Sequence, residues 1–412
     1  MHDPGNLIVP SSLDLARDDP EPVEGSGLGA EGASAAQAIE RDTGRELRIE
    51  ALSNAEYMDR ALALAARARG CTTPNPLVGA IVVTDEGVVV GAGYHAQAGE
   101  PHAEVHALRA AGPAARGATL YCTLEPCCHR GLTPPCVDAI VEAGISRVVM
   151  AVEDPNPRVA GGGARFLREH GVQVDAGVGR DAAVRLNRAF FSAMRRHRPF
   201  VIVKVATSLD GRVASGPGMR THMTGAAADR RSQVLRAEVD AVGVGSGTVL
   251  VDDPLLTVRD VYRRRLLARV IFDRRLQTPT AARLFSTLSS GPVLIVTTGA
   301  MADARASHAR DLERAGATLV RVQTAGIAAA VAALLPFGIQ SLLVEGGTTL
   351  HESVWAARLV DAVRVVVTPR VLGPSGLPWV ASSRLSLPSL FNLRVEPCGA
   401  DVIIEGDVYR ID

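Results

Sequence analysis

PHAEVHAL, residues 101–108, sets His102 and Glu104 two positions apart directly behind a proline, where a helix is expected to open. A second stretch, TLEPCCHRGLTPPC (123–136), brings Cys127 after one proline and Cys136 after a proline pair. Zinc prefers cysteine sulfur and histidine nitrogen, and a catalytic zinc keeps three protein ligands with the fourth position open. His102, Cys127 and Cys136 supply that set. In mid-helix Glu104 would point about 200° away from His102, but in a first turn it can flank the same point, so it reads as proton shuttle and not as ligand. Both ligand segments are expected at helix starts, where the positive dipole end favours thiolate. Each fragment is weak alone, since a His-x-Glu pair is ordinarily a solvated helix face; their order and shared placement carry the metal reading. Cys128 and His129 are rival ligands in the same loop, and Cys122 alternates along a strand as a core residue would.

Working outward, 412 residues exceed what one core usually fills, so two domains are expected. The apolar fraction is 47% and the aromatic fraction 4%, which leaves Val, Leu, Ile and Ala to build the interior. Forty-four basic and forty-four acidic side chains cancel, so the broad positive field of a nucleic-acid binder is missing and a small polar metabolite is the expected partner. Four of the six cysteines crowd into 122–136, a distribution of metal sites more than of disulfide frameworks. With no apolar run long enough for a span and no leader pattern, the reading has no membrane partner and a cytoplasmic location.

Residues 1–52, rich in Gly, Ala, Ser, Pro and acid, read as a disordered tail, with Met58 offering a later start. From 53 to 184 helical and strand patterns alternate: a helix from 55 ending at Gly70, strands over 77–83, 88–95, 118–124, 147–153 and 172–178, and a helix near 163–170. A basic amphipathic helix over 185–199 is expected to link this unit to a second α/β unit, 200–412. Strands of that unit are expected near 200–206, 239–244, 269–273, 293–297, 317–322, 341–345 and 361–368.

The order His-Ala-Glu, Pro-Cys, Cys matches zinc nucleobase deaminases, except that eight residues and not two separate the cysteines. TTPNPLVGAIVV, GYHAQAGEPHAEVHALRAAG, GATLYCTLEPCCHRGLTPPC and EDPNPRVAGGG resemble the N-terminal half of the bifunctional riboflavin-biosynthesis deaminase/reductases, whose own variant has that gap. The resemblance runs over about 57–412. It implies a cytidine-deaminase-like three-layer α/β/α domain followed by a dihydrofolate-reductase-like α/β domain. The implied chemistry is zinc-dependent deamination of 2,5-diamino-6-ribosylamino-4(3H)-pyrimidinone 5′-phosphate, then NADPH-dependent reduction of ribosyl to ribityl, in a homo-oligomer. Asn75, His95 and His129 would contact that phosphorylated pyrimidine; Asn75, between two prolines, sits in a turn where its amide can meet a base edge or close an Asx-turn. Leu132 stands where the family usually has Lys or Arg, with Arg130 two residues earlier as a substitute cation.

In the second half, KVATSLDGRVAS, LRAEVDAVGVGSGTVLVDDPLLTVR, RVIFD and LLVEGGTTLHESVWAARLVDAVRV carry the resemblance. Gly346-Gly347-Thr348-Thr349 follows a strand and opens a helix, so its N–H groups can receive phosphate, and GVGSGT (243–248) is a similar loop. By resemblance Ala206, Thr224, Thr248, Asp252 and Gly347 to His351 would lie against NADPH, and Arg236, Leu256, Arg259 and Glu345 would hold substrate, the two arginines suiting phosphate by their planar fork. The family's Ser-x-Trp-Ile-Thr is here Arg220-Thr221-His222-Met223-Thr224, placing Arg220 on the substrate side and His222 on the cofactor side. Arg274 replaces a cofactor-side serine, to pair with the 2′-phosphate or to block the site, and His351 enlarges the glycine loop. Competing readings are a degenerate reductase half serving binding or oligomerisation, a nucleic-acid-editing deaminase, and a structural zinc module closed by His129 or Cys128.

Overall fold

The computed structural model of the protein describes residues 52–131, 133–379 and 389–409. The expected tail up to residue 51, and the Leu132 departure, lie outside the described residues. The first unit runs α1 (Asn54–Ala66), β1 (Gly79–Val83), β2 (Val89–Tyr94), α2 (Ala103–Ala111), β3 (Thr119–Cys122), α3 (Cys136–Glu142), β4 (Arg147–Met150), α4 (Gly162–Glu169), β5 (Gln173–Ala176), α5 (Arg180–Leu186) and α6 (Arg188–Arg196). Its five strands lie in the order β2-β1-β3-β4-β5, antiparallel on either side of β1 and parallel from β3 to β5. β1 is buried along its whole length, as a strand covered on both faces should be. α1 starts in a capping box between Ser53 and Glu56, and Tyr121 donates to Asn54 Oδ1 at 2.7 Å. A chain beginning at Met58 would lose both. α1 also lies so close to β1 that a Cβ at Gly79 would fall 2.0 Å from Ala61 O.

The second unit runs β6 (Phe200–Ser208), β7 (Arg212–Ala214), α7 (Ala226–Glu238), β8 (Ala241–Gly245), α8 (Ser246–Asp252), β9 (Ala268–Phe272), β10 (Val293–Thr298), α9 (Gly299–Ala304), α10 (Ala306–Arg314), β11 (Ala317–Val322), α11 (Ile327–Ala332), β12 (Ser341–Gly346), α12 (Thr348–Ala356), β13 (Val360–Thr368), β14 (Leu377–Pro378), β15 (Phe391–Cys398) and β16 (Asp401–Asp407). Nine of these strands form one sheet, ordered β11-β10-β9-β8-β12-β6-β13-β16-β15; it is parallel from β11 to β13 and antiparallel thereafter. Two α/β units, the second ending in an antiparallel pair, are the architecture that the alternation of helix and strand patterns implies.

The structure differs from the sequence reading in the linker helix and in additional strands. The single helix expected over 185–199 is instead α5 and α6, which meet at Asn187 (φ −102°, ψ 20°). The Asn187 side chain bonds the backbone of Leu77, a use that the local amphipathic pattern does not reveal. β7, β14, β15 and β16 are additional strands; β15 is an exposed sheet edge whose residues Phe391–Glu396 do alternate apolar and polar, a strand period that the sequence reading passed over. Among the described residues no helix is long and apolar enough to cross a membrane.

Candidate active sites

His102, Cys127 and Cys136 come together where α2 and α3 begin, their ligand atoms all within 4.8 Å of one another. The helix starts differ in detail from expectation. Pro101 and Pro135 precede the first turns; His102 is itself the N-cap of α2, with extended backbone (φ −74°, ψ 166°), and Cys136 is the first residue of α3. An extended N-cap breaks the 100° helical step, so His102 and Glu104 reach the same point. The cap position carries no side-chain hydrogen bond, because the imidazole faces the sulfurs: Nδ1 lies 3.2 Å from Cys136 Sγ and 3.4 Å from Cys127 Sγ. Sulfur at about 2.3 Å and nitrogen at about 2.1 Å on one tetrahedral ion would be about 3.6 Å apart, so the three donors fit zinc with little adjustment. The N–H of Cys136 donates to Cys127 Sγ at 3.3 Å, as a thiolate at a helix start requires.

Electrostatics follow from this packing. Hydrogen bonds from Cys136 and His102 hold the Cys127 thiol well below its ordinary value, and the same contact pushes Cys136 up. Contact with Cys127 raises His102. Glu104 is 3% exposed and its Oε2 has no partner; burial first, then the Cys127 charge, push it up to about 7. His95, also buried, accepts from Asn75 Nδ2 at Nε2 (3.1 Å) and donates from Nδ1 to Pro101 O (3.2 Å), while its ring packs edge-on to His102. Burial lowers its pKa, in keeping with a neutral imidazole. Of the rival ligands, Cys128 turns toward Arg158 O, Cys122 is core, and His129 lies outside the metal cluster with Nδ1 buried and unpartnered.

Glu125 is a site residue that the sequence reading missed. Its carboxylate accepts from the N–H groups of Asp154, Gly161 and Ala164 at 2.9–3.1 Å, pinning the loop that carries Cys127 to the start of α4. Nothing local in LEPCC marks it, since its partners lie 29 to 39 residues on. That packing is tight: a Cβ at Gly163 would stand 2.0 Å from Pro126 O. Gly163→Ala is therefore expected to displace the adjoining Cys127 and yield protein with sub-stoichiometric zinc, read by metal analysis of the purified variant.

In the second unit a cleft of about 1010 Å³ opens at the C-terminal ends of β6, β8, β9 and β12, where the strand order reverses. It is lined by Ala206, Thr224, Thr248, Asp252, Gly347, Thr348 and Thr349, and equally by Arg220, His222, Arg236, Leu256, Arg259, Arg274 and Glu345. The two glycine loops meet there: a Cβ at Gly346 would stand 2.8 Å from Thr248 Oγ1, and Gly347 has φ +84°. Leu256 also takes a left-handed backbone (φ 55°) while buried, a strained conformation of the kind found at binding sites.

Several placements refine the sequence reading. Arg236 is bonded to Glu345 through two nitrogens and to Thr257 O at 2.9 Å, so it is an internal ion pair and not a free phosphate fork. Burial alone would raise Glu345; Arg236, with Lys204 and Arg259, holds it below its ordinary value. Arg259 and Arg274 line the cleft and are exposed, without side-chain hydrogen bonds or ion pairs among the described residues. His351 lines the cleft from α12 while largely buried, accepting from Trp379 Nε1 at 3.0 Å, and burial lowers it to about 4. Among the cleft residues that the sequence reading missed, two bear on its charge. Lys204, its charge disfavoured by burial, faces Glu345, and Asp229 receives the Thr224 hydroxyl and approaches His222 at 3.2 Å.

Residues 52–152 match the cytidine and deoxycytidylate deaminase zinc-binding region, and 199–404 match the RibD C-terminal domain. The chain is 39% identical to the riboflavin biosynthesis protein RibD of Aquifex aeolicus over 84% of its length and 96% of that protein. To its Escherichia coli counterpart it is 41% identical, over 83% and 93%. Acinetobacter baumannii RibD superposes with a TM-score of 0.77 at 36% identity, over 86% of this chain and 98% of that one. A diaminohydroxyphosphoribosylaminopyrimidine deaminase/5-amino-6-(5-phosphoribosylamino)uracil reductase from Thermotoga maritima does so with a TM-score of 0.75 at 33% identity, over the same shares. The metal-ready cluster, the glycine-walled cleft and these matches across both units agree: the chain belongs to the RibD family of bifunctional riboflavin-biosynthesis deaminase/reductases.

Proposed function

We propose that the first unit, 53–184, deaminates 2,5-diamino-6-ribosylamino-4(3H)-pyrimidinone 5′-phosphate with zinc held by His102, Cys127 and Cys136, and that 200–412 then reduces the ribosyl group of the product to ribityl with NADPH. The observation that carries the first step is the buried, unpartnered Glu104 Oε2 beside three soft donors. Zinc bound there supplies the Lewis acidity that lets water ionise near neutral pH. Glu104 takes up the water proton at Oε2, passes it to the ring nitrogen beside the attacked carbon, and carries a proton to the departing ammonia, the two-way transfer of a placed acid–base group. Asn75, fixed by His95, meets the pyrimidine edge, and His129 offers its unpartnered Nδ1 on the sugar-phosphate side.

In the cleft NADPH supplies the hydride, and the protein aligns donor and acceptor. The glycine loops with Ala206, Thr224, Thr248 and Asp252 hold the dinucleotide, His222 and Arg274 facing its outer portion. Arg220, Leu256, the Arg236–Glu345 pair and the unengaged Arg259 face the phosphorylated sugar. The same reading makes the enzyme a cytoplasmic homo-oligomer without nucleic-acid or membrane partners, in keeping with a soluble metabolite substrate. The test supplies the diaminopyrimidinone phosphate and follows ammonia and NADPH separately. Zinc-dependent ammonia release should precede NADPH oxidation, which should also occur when the deaminated compound is supplied directly. Ammonia without NADPH oxidation would reduce the second unit to a binding or oligomerisation module, and no ammonia would end the reading.

A further inference from the structure

The turn that presents Asn75 is held from outside its own unit. Asn75 reaches the metal cluster through one residue, its Nδ2 lying 3.1 Å from His95, whose ring meets that of His102 with centroids 5.2 Å apart. On its other side, Gln340 Nε2 donates to Pro74 O at 2.9 Å, from 266 positions away. Asn187 accepts from Leu77 N–H at 2.7 Å and donates to Leu77 O at 2.9 Å, from 110 positions away. The residue before Asn75 and the one two after it are thereby fixed by two amides, 6% and 3% exposed. Gln340 is itself anchored to the nine-stranded sheet, since it directly precedes β12 and its N–H donates to Asp240 Oδ2 at 3.1 Å.

We infer that Gln340 and Asn187 are positioning residues for deamination: a side chain of the reductase unit and one at the junction set where the Asn75 amide stands. This rests on the reading of Asn75 as a substrate contact. Two groups that merely filled the junction would not need polar ends aimed at the backbone on both flanks of one site residue, and small displacements of such a residue are felt strongly by a bound substrate.

The test is Gln340→Glu in the full chain, which keeps the shape and removes the donor. Gln340→Met, similar in length and uncharged, serves if the buried carboxylate prevents folding. Michaelis parameters for ammonia release are compared with those for NADPH oxidation of directly supplied deaminated compound, alongside zinc content and Tm. We expect KM for deamination to rise about tenfold, as loss of one good contact would produce, with zinc content and reductase parameters kept. A lower Tm with deamination KM within about twofold of the parent would overturn the inference, leaving Gln340 as a structural tie. Asn75→Ala, measured in parallel, separates the failures. If it raises KM and the Gln340 variants do not, only the positioning role is lost; if it does not, the reading of Asn75 falls and the inference with it.

Discussion

Replacing Glu104 with glutamine should leave zinc content unchanged and lower ammonia release by about 10²–10⁴, the usual contribution of a placed acid–base group. Glutamine matches the shape of the buried side chain but cannot carry a proton between water, ring nitrogen and ammonia. None of the three donors near Glu104 is altered, so metal binding is a fair internal control. Reduction of directly supplied deaminated compound should proceed at the parent rate. Metal analysis and an ammonia assay on one preparation decide it: full activity with stoichiometric zinc would remove Glu104 from the mechanism, and loss of zinc would mean that the carboxylate supports the metal.

Arg236→Met should destabilise the second unit strongly, because it leaves the Glu345 carboxylate buried without its counter-ion. Breaking a buried, hydrogen-bonded pair typically costs about 3–5 kcal/mol. For a unit of this size that corresponds to a fall in Tm of roughly 6–20 °C. Side-chain exposures of 15% and 10% mean that solvent does little to relieve the loss. Combining it with Glu345→Gln should recover much of the stability by removing the orphaned charge, while NADPH oxidation stays impaired. Differential scanning calorimetry with the reductase assay checks both halves; a single variant as stable as the parent would show that the pair carries no net stabilisation.

The features legible in the sequence are those whose signal is local. His102, Cys127 and Cys136 declare themselves by residue type beside prolines, and buried strands such as GAIVV (79–83) and AVGVG (241–245) by unbroken apolar runs. What stayed hidden depends on partners distant along the chain. Glu125 reads as an ordinary loop acid until α4 is folded against it, and Arg236 looks like a phosphate ligand until Glu345 arrives from β12. His351 sits in a glycine-loop motif, and its contact with Trp379, 28 residues on, is not visible there. The edge strand β15 alternates in sequence over Phe391–Glu396 but not in burial, since Asn392 to Val395 are all exposed, so its pattern marks a strand without marking a core face.

His102 as the N-cap of α2 has an evolutionary consequence. A serine, threonine, aspartate or asparagine in that place would secure the open amides of the first turn, typically for about 1 kcal/mol. The imidazole points at the sulfurs and makes no such bond. Selection for thermal hardiness alone would therefore favour replacing this histidine, so its retention in a lineage is a mark of pressure on catalysis, and a paralogue freed from that pressure should drift toward a capping residue at this position first.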